Sequence, residues 1–370
     1  MRILRTPIAR RRWSNFKANR RAFWSLWIFG FLFITALFAE FIANDRPLLV
    51  GFQGKLHSPV VKMYTEEYFG GDFQTEAEYS ELEVQCLILS GGIIDCLDDP
   101  EAYIADAEDG EINDQQIQKG WIIWPPIPYS FNTINYDVTQ APSPPDGDHW
   151  LGTDDQTRDV VARILYGFRI STVFGLIVVF FSSVLGVMAG AAMGYFGGWT
   201  DLISQRLLEI WESTPMLYVI IILSALFTIS FTGFTILVIA FSWPALVGVV
   251  RAEFLRARNF EYVRAARAMG VSDRKIMFRH LLPNAMVATV TFLPFMITGS
   301  IGTLTSLDFL GFGLPPSYPS LGELSLQAKN NLQAPWLAFS AFVTLATMLS
   351  LLVFIFEGVR DAFDPRKTFK

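Results

Sequence analysis

Glu261-Tyr-Val-Arg-Ala-Ala-Arg-Ala-Met-Gly270-Val-Ser-Asp-Arg-Lys-Ile-Met-Phe-Arg-His280-Leu-Leu-Pro-Asn284 is a basic stretch set between two long apolar runs. It reads as two short helices. The first is predicted over residues 258–269, and Gly270 stands where a left-handed C-terminal cap is needed. Ser272 is a good N-cap for the second helix, and Leu282-Pro283 is expected to end it. Arg264 and Arg267 give the first helix a charged rim, while Ala265, Ala266 and Ala268 permit close approach. A short helix of that kind fits a groove in a partner protein. The segment returns to apolar sequence without a spacer, which favours a docking surface over an ordinary basic loop.

The flanking sequence is compatible with hydrocarbon. Hydrophobic residues make up 52% of the chain and charged residues 17%, against about 45–50% and about 25% in soluble domains. A spanning helix needs about 20 mostly apolar residues. Uncharged runs cover residues 22–39, 170–200, 213–250, 281–307 and 330–356. The third is long enough for two crossings, with the break expected near 230–233. Six spans are therefore predicted, one early and five in close succession. Gly186, Gly190 and Gly194 repeat a spacing that lets helices approach closely. Pro215, Pro244 and Pro294 lie in or at the ends of later spans, where kinks around a pathway and ordinary bundle packing are equally good readings.

Charge sets the orientation. The first 21 residues hold eight Lys/Arg and no acid, so the positive-inside rule places this end in the cytoplasm. The run at 22–39 is longer than a signal-peptide core, so an uncleaved span is expected. Residues 44–150 hold 20 Asp/Glu and four Lys/Arg, a net −16 in a chain of −6, which leaves +10 elsewhere. Parity puts this acidic insert outside, as a small helical and irregular cap, and puts the 261–284 loop and the C-terminus inside. Residues 251–280, with eight Lys/Arg against three acids, agree. The expected division is a basic N-terminus (1–21), a first span (22–43), the insert (44–150) and a five-span core (151–370) containing the loop at 258–284. Cys86 and Cys96 both lie in the insert, where an oxidising compartment favours a disulfide over two buried thiols. For the insert's acids, densest over 95–114, attraction of cationic cargo and a merely solvated cap are both open readings.

A second informative stretch is His149-Trp-Leu-Gly-Thr153-Asp154-Asp155-Gln156-Thr-Arg158-Asp159-Val160-Val-Ala-Arg163. Thr153 and Gln156 have capping-box spacing, and acids fall in the first turn. Val160, Ile164 and Leu165 make one apolar face, so an amphipathic helix at the outer membrane surface is predicted. Surface ion pairs at a helix start are preferred here to a metal site, because no His neighbours the carboxylates within the helix. Arg158, Arg163 and Arg169 fall on the outer side against the charge rule. Asp308, close to the membrane edge, reads equally as a functional acid and as a helix cap.

Catalytic signatures are missing. There is no GxxxxGK[ST] phosphate loop, and Gly51-Phe-Gln-Gly54-Lys55 has the wrong spacing for one. His57, His149 and His280 are far apart in sequence, and no HExxH, GxSxG or CxxC occurs. Ion-driven carriers keep acids or broken helices at the bilayer midplane, and the spans hold few ionisable residues. No catalysis is expected of this chain, and its energy is expected from another subunit.

At Ala265, Ala266, Gly270, Leu282 and Pro283 the chain resembles the permease subunits of ATP-binding-cassette importers, whose signature is Glu-Ala-Ala-x-x-x-Gly, a spacer, then hydrophobic-x-Leu-Pro. Arg264 replaces the Glu, and His280 occupies the usual Ile position. The stretch from Leu151 to Ser171, Gly194-Tyr-Phe-Gly-Gly-Trp-Thr-Asp201 and Arg360-Asp-Ala-Phe-Asp364-Pro365 resemble the C-type subunit of dipeptide and oligopeptide permeases. Phe23-Trp-Ser-Leu-Trp-Ile-Phe, residues 43–50 and residues 322–336 resemble the E permease of the Yej-type branch, and 76–119 matches least.

The resemblance implies an all-α polytopic protein with the type I importer permease fold, in a bacterial inner membrane with both termini cytoplasmic. It implies alternating-access import of oligopeptides, including peptide antibiotics such as microcin C. The implied partners are a B-type permease, ATPase subunits that hold ATP and Mg, a periplasmic peptide-binding protein and the lipid bilayer. No cofactor on this chain and no nucleic acid are expected. ATPase coupling is implied for Glu261, Arg264, Ala265, Ala266, Gly270, Ser272, Arg279, His280 and Pro283. A periplasmic gate or binding-protein contact is implied for Asp154, Arg158, Asp159, Arg163, Arg169 and Asp308. The rival readings are an ATP-independent secondary transporter and a membrane sensor with an outer ligand-binding loop.

Overall fold

A backbone that leaves water must satisfy its own hydrogen bonds, and a helix does so within one segment. The uncharged runs obey that constraint. The computed structural model describes residues 7–92, 96, 99–109, 111–112, 115–116 and 119–363. Part of the acidic 95–114 stretch, and Asp364 and Pro365 of the terminal motif, lie outside the described residues. The helices are α1 (Pro7–Ala18), α2 (Arg20–Leu37), α3 (Leu82–Ser90), α4 (Pro100–Asp109), α5 (Val160–Phe196), α6 (Gly198–Glu212), α7 (Met216–Leu226), α8 (Phe231–Ser242), α9 (Pro244–Ala257), α10 (Glu261–Ala268), α11 (Asp273–Lys275), α12 (Leu282–Phe309), α13 (Leu321–Asn330) and α14 (Pro335–Phe363). The strands are β1 (Leu49–Phe52), β2 (Lys55–His57), β3 (Glu111–Ile112), β4 (Gln115–Gln116) and β5 (Trp121–Ile123).

Among the described residues, five helical stretches are long and apolar enough to cross a membrane: Arg20–Leu37, Val160–Phe196, Phe231–Ala257, Asp273–Phe309 and Pro335–Phe363. α6 and α7, bent by 59° at their break, make a sixth when taken together. The details differ from the sequence reading at two places. α7 has 11 residues and is too short to cross alone, so the third span needs the charged α6. The amphipathic outer helix is not separate, because α5 runs unbroken for 37 residues from Val160. The break expected near 230–233 is found just before α8, where the Ser230 hydroxyl accepts the Gly233 N–H. Pro215 and Pro244 open α7 and α9, and Pro294 lies inside α12.

The chain divides into two compact units. The first is drawn from Met1–Ile34, Gly167–Leu326 and Ala341–Lys370. Here the glycine repeat of α5 lies directly on α9. A Cβ added to Gly186, Gly190 or Gly194 would sit 2.6, 2.7 and 2.6 Å from the carbonyl oxygens of Trp243, Val247 and Arg251, respectively. The two helices therefore pack backbone to backbone, one turn per glycine, and a side chain at any of these positions would push them apart. In the same unit Phe16, Ala22 and Ala362 bury together, and the Arg12 guanidinium lies 4.1 Å over the Phe363 ring.

The second unit is drawn from Thr35–Tyr166 and Gln327–Ser340. It holds an antiparallel sheet in the order β2-β1-β5. β1 and β2 are joined by Gln53 and Gly54, at φ 46° and 71°. Two left-handed residues in a two-residue loop match the natural twist of a hairpin, so of the two glycines that mimicked a phosphate loop, Gly54 shapes a turn and Gly51 lies within β1. Val50, Phe52, Phe69, Tyr79, Leu87 and Ile88 form the core beneath it. This sheet adds to the helical and irregular structure expected of the insert. Cys86 and Cys96 are joined by a disulfide at a sequence separation of 10; closing so short a loop stabilises by roughly 3 kcal/mol in the chain-entropy model.

The backbone contact between α5 and α9 gives a direct expectation. Gly190→Leu should separate the helices at a cost of about 1–3 kcal/mol or more, and size-exclusion chromatography of the purified protein should show loss of the monodisperse folded species. An unchanged profile would contradict the close approach.

Candidate functional site

The loop after α9 is built in three steps. α9 ends at Ala257, and Phe260, extended at ψ 148°, breaks the chain before α10 starts at Glu261. The helix expected from 258 therefore begins three residues later. Its exit is as expected: Gly270 has φ 79°. The Gly270 N–H donates to Arg267 O and the Val271 N–H to Ala266 O, at 3.0 and 3.1 Å, the paired bonds of a left-handed helix stop. Ser272 holds the N-cap position of α11 through its backbone, with no side-chain capping bond. Pro283 does not end the second helix. Residues Ile276–Leu281 are wound as a π-helix and lead straight into α12, with Pro283 in its first turn. The widened turn before it accommodates a proline ring that donates no backbone hydrogen bond.

The faces of α10 are sharply divided. Val263 and Ala266 are buried with Val250, Phe254, Ile276 and Leu281 in the protein's own core. Ala266 is thus a packing residue rather than part of the outer face. Glu261, Arg264, Ala265, Arg267, Ala268 and Gly270 are exposed, as are Ser272 and Arg279, and Met269 is 76% exposed. His280 is half-buried, and its carbonyl accepts a bond from the Asn284 side chain, which also reaches the Tyr262 hydroxyl. The result is a short, rigidly stopped helix that presents small residues and cations outward.

The outer candidates form a different kind of site. Asp154, Arg158, Asp159 and Arg163 are each at most 4% exposed. Arg158 donates from Nε to Asp154 Oδ2 at 2.7 Å, and Arg163 Nε lies 3.6 Å from the same oxygen. Asp154 Oδ1 accepts the N–H groups of Gln156 and Arg158. These are buried ion pairs, not the surface pairs expected. The cap of α5 is Asp159, whose Oδ1 accepts the Ala162 N–H at 2.8 Å, and Thr153 instead receives the Ser143 N–H. His149 joins the cluster: its Nδ1 is 2.9 Å from Asp159 Oδ2, its Nε2 is 3.1 Å from the Asn135 amide, and Tyr129 stacks on the ring at 4.5 Å. Burial pushes the Tyr129 phenol above its usual pKa, so it is a neutral cover. The sequence showed His149 ten residues ahead of Asp159 but not that the chain folds back to join them.

Arg169 is half-buried in α5. Asp308 is buried at the end of α12, where it accepts the Leu314 N–H at 2.7 Å and the Ser320 hydroxyl. Ser320 Oγ in turn accepts the Gly322 and Glu323 N–H groups at the start of α13. Asp308 thus holds the 310–320 loop in shape. Asp154, Arg158, Asp159, Arg163 and Asp308 are thus enclosed and support the loops around them, whereas Arg169 keeps part of its surface.

Two family models match the chain. Residues 166–369 match the binding-protein-dependent transport system inner membrane component, and residues 8–53 match the N-terminal TM domain of oligopeptide transport permease C. The peptidoglycan transport system permease protein YejE of Agrobacterium fabrum is 52% identical over 99% of this chain and 95% of that protein. The inner membrane ABC transporter permease protein YejE of Escherichia coli is 50% identical over 98% of each. The oligopeptide transport system permease protein OppC of Haemophilus influenzae is 32% identical over 65% of this chain and 78% of that protein.

Removing one partner from a buried charge cluster costs about 3–5 kcal/mol, because the remaining charge is stranded. Asp154→Ala should therefore open the 142–166 region to protease in the intact purified protein, whereas Asp155→Ala, at an exposed position, should not. Equal resistance of the two variants would refute the structural role of Asp154.

Proposed function

The chain belongs to the family of binding-protein-dependent transport system inner membrane components, and from that membership we propose that it is the permease subunit of an ATP-driven importer of oligopeptides. It is a multi-pass inner membrane protein. In the proposed orientation both termini and the 261–284 loop face the cytoplasm, and the acidic insert faces the periplasm. The observation that carries the reading is α10, with its buried inner face and its small, cationic outer face ended by Gly270.

The mechanism follows from that geometry. An ATPase subunit receives α10 in a groove, and Ala265 and Ala268 permit the close approach. Arg264, standing where the signature has Glu, and Arg267 favour an acidic rim on that groove. Closure of the ATPase pair moves α10, and the rigid stop at Gly270 passes the motion on to the spans instead of dissipating it in a flexible linker. The spans then open alternately to the two sides, around a pathway shared with a second, related permease. A periplasmic binding protein delivers the cargo to the outer loops. ATP and Mg are held by the ATPase subunits, and this chain makes or breaks no bond. Peptide cargo is supported by relatives named for peptidoglycan and oligopeptide transport, and its extension to peptide antibiotics of the microcin C type rests on the sequence resemblance alone.

The docking face is testable without disturbing the core. Ala265→Trp adds bulk to an exposed position and should leave membrane insertion unchanged while the ATPase subunit no longer co-purifies. Undiminished co-purification would count against α10 as the docking element.

A further inference from the structure

We infer that Gly194-Tyr-Phe-Gly-Gly-Trp-Thr-Asp201, at the end of α5 and the start of α6, is the receiver of the coupling loop, and that Tyr195 is the positioning residue through which movement of α10 enters the spans. The inference rests on the proposed docking of α10 to an ATPase.

Three ties converge on this stretch. Tyr195 is 4% exposed, and its hydroxyl donates to the carboxylate of Asp273, the first residue of α11. The Arg267 guanidinium, in the last turn of α10, lies 5.4 Å from the Tyr195 ring centroid, within cation–π range. Tyr195 therefore touches the loop on both sides of the Gly270 stop. The second tie is Arg258, whose Nη1 donates to the carbonyls of Gly194 and Tyr195 at 3.2 and 3.3 Å. Those carbonyls fall in the last turn of α5, where helix oxygens lack partners and a cation is favoured. The third tie is Arg251, which grips Asp201 through Nε and Nη2, both at 2.6 Å. A bidentate pair of this kind fixes orientation as well as distance.

The geometry also excludes sliding. Gly197, at φ 64°, turns the chain between α5 and α6 so that Asp201 faces back toward α9. The Tyr195 ring shares the core of Phe254, Val263, Ala266 and Ile276. α10 and α11 cannot shift along α5 without breaking the hydrogen bond from buried Tyr195 to Asp273 or opening that core. A push on α10 is thus delivered to α5, the helix whose glycine face carries α9.

The competing view is that these contacts only stabilise the fold, and coupling and stability are separable by measurement. Tyr195→Phe keeps the ring, its packing and its cation–π contact with Arg267, and deletes the polar contacts of the hydroxyl, with Asp273 and with the Arg267 side chain. The measurement is peptide imported per ATP hydrolysed by the full purified complex in proteoliposomes. The ratio should fall roughly tenfold, the factor that about 1.4 kcal/mol of lost coupling corresponds to, while the yield of complex and its ATP hydrolysis stay at wild-type levels. Asp273→Ala should do the same, Asp273→Asn should restore most of the ratio, and the double variant Tyr195→Phe/Asp273→Ala should be no worse than either single change. An unchanged ratio in Tyr195→Phe, additive losses in the double variant, or a loss confined to complex yield would each overturn the inference. A wild-type complex that imports peptide without ATP would instead sink the proposed function, and the inference with it.

Discussion

The backbone contact between α5 and α9 is the constraint on which the membrane unit depends. Between helices in lipid there is no hydrophobic force to hold a loose fit, so the approach must be close enough for dispersion and weak backbone contacts to act. Gly186, Gly190 and Gly194 provide it one turn at a time against Trp243, Val247 and Arg251. The register has a consequence at its inner end. The turn of α9 that meets Gly194 carries Arg251 and Phe254, so the same step of the repeat places Arg251 on Asp201 and Phe254 in the core under α10. The docking helix thus takes its position from the packing of two spans.

The outer unit is held by different means. It has its own sheet, a disulfide and a buried cluster in which Asp154 satisfies Arg158 while Asp159 both caps α5 and meets His149. Among the described residues of 44–150, most of the acidic charge is therefore carried on a folded body. In the proposed topology that body stands where cargo is delivered, and its shape is set by interactions that do not involve the cargo.

Much of this was legible in the sequence because runs of uncharged residues have few solutions in a membrane. The glycine spacing of α5, the break before α8 and the left-handed stop at Gly270 were readable for the same local reasons. The third span was misjudged because half of it, α6, carries Asp201, Arg206, Glu209 and Glu212, which a search for charge-free windows passes over. Pro283 was read as a stop because the π-wound turn before it, which accommodates the ring, leaves no sequence pattern of its own. The sheet of the insert was hidden in strands of only three or four residues, too short to show an alternating pattern. The pairing of His149 with Asp159, and of Tyr195 with Asp273, depends on chain reversals that only the folded protein fixes; the 194–201 motif was visible as a resemblance, but its role was not.

All of this bears on one claim, that α10 is a rigid handle by which ATP hydrolysis elsewhere drives the spans. The most direct measurement is uptake of a labelled oligopeptide by proteoliposomes containing the purified complex and its binding protein, with ATP or with a non-hydrolysable analogue inside. Uptake with ATP and none above background with the analogue is the outcome the structure leads us to expect. Uptake that continues at the same rate with the analogue would contradict it and would favour an ATP-independent carrier.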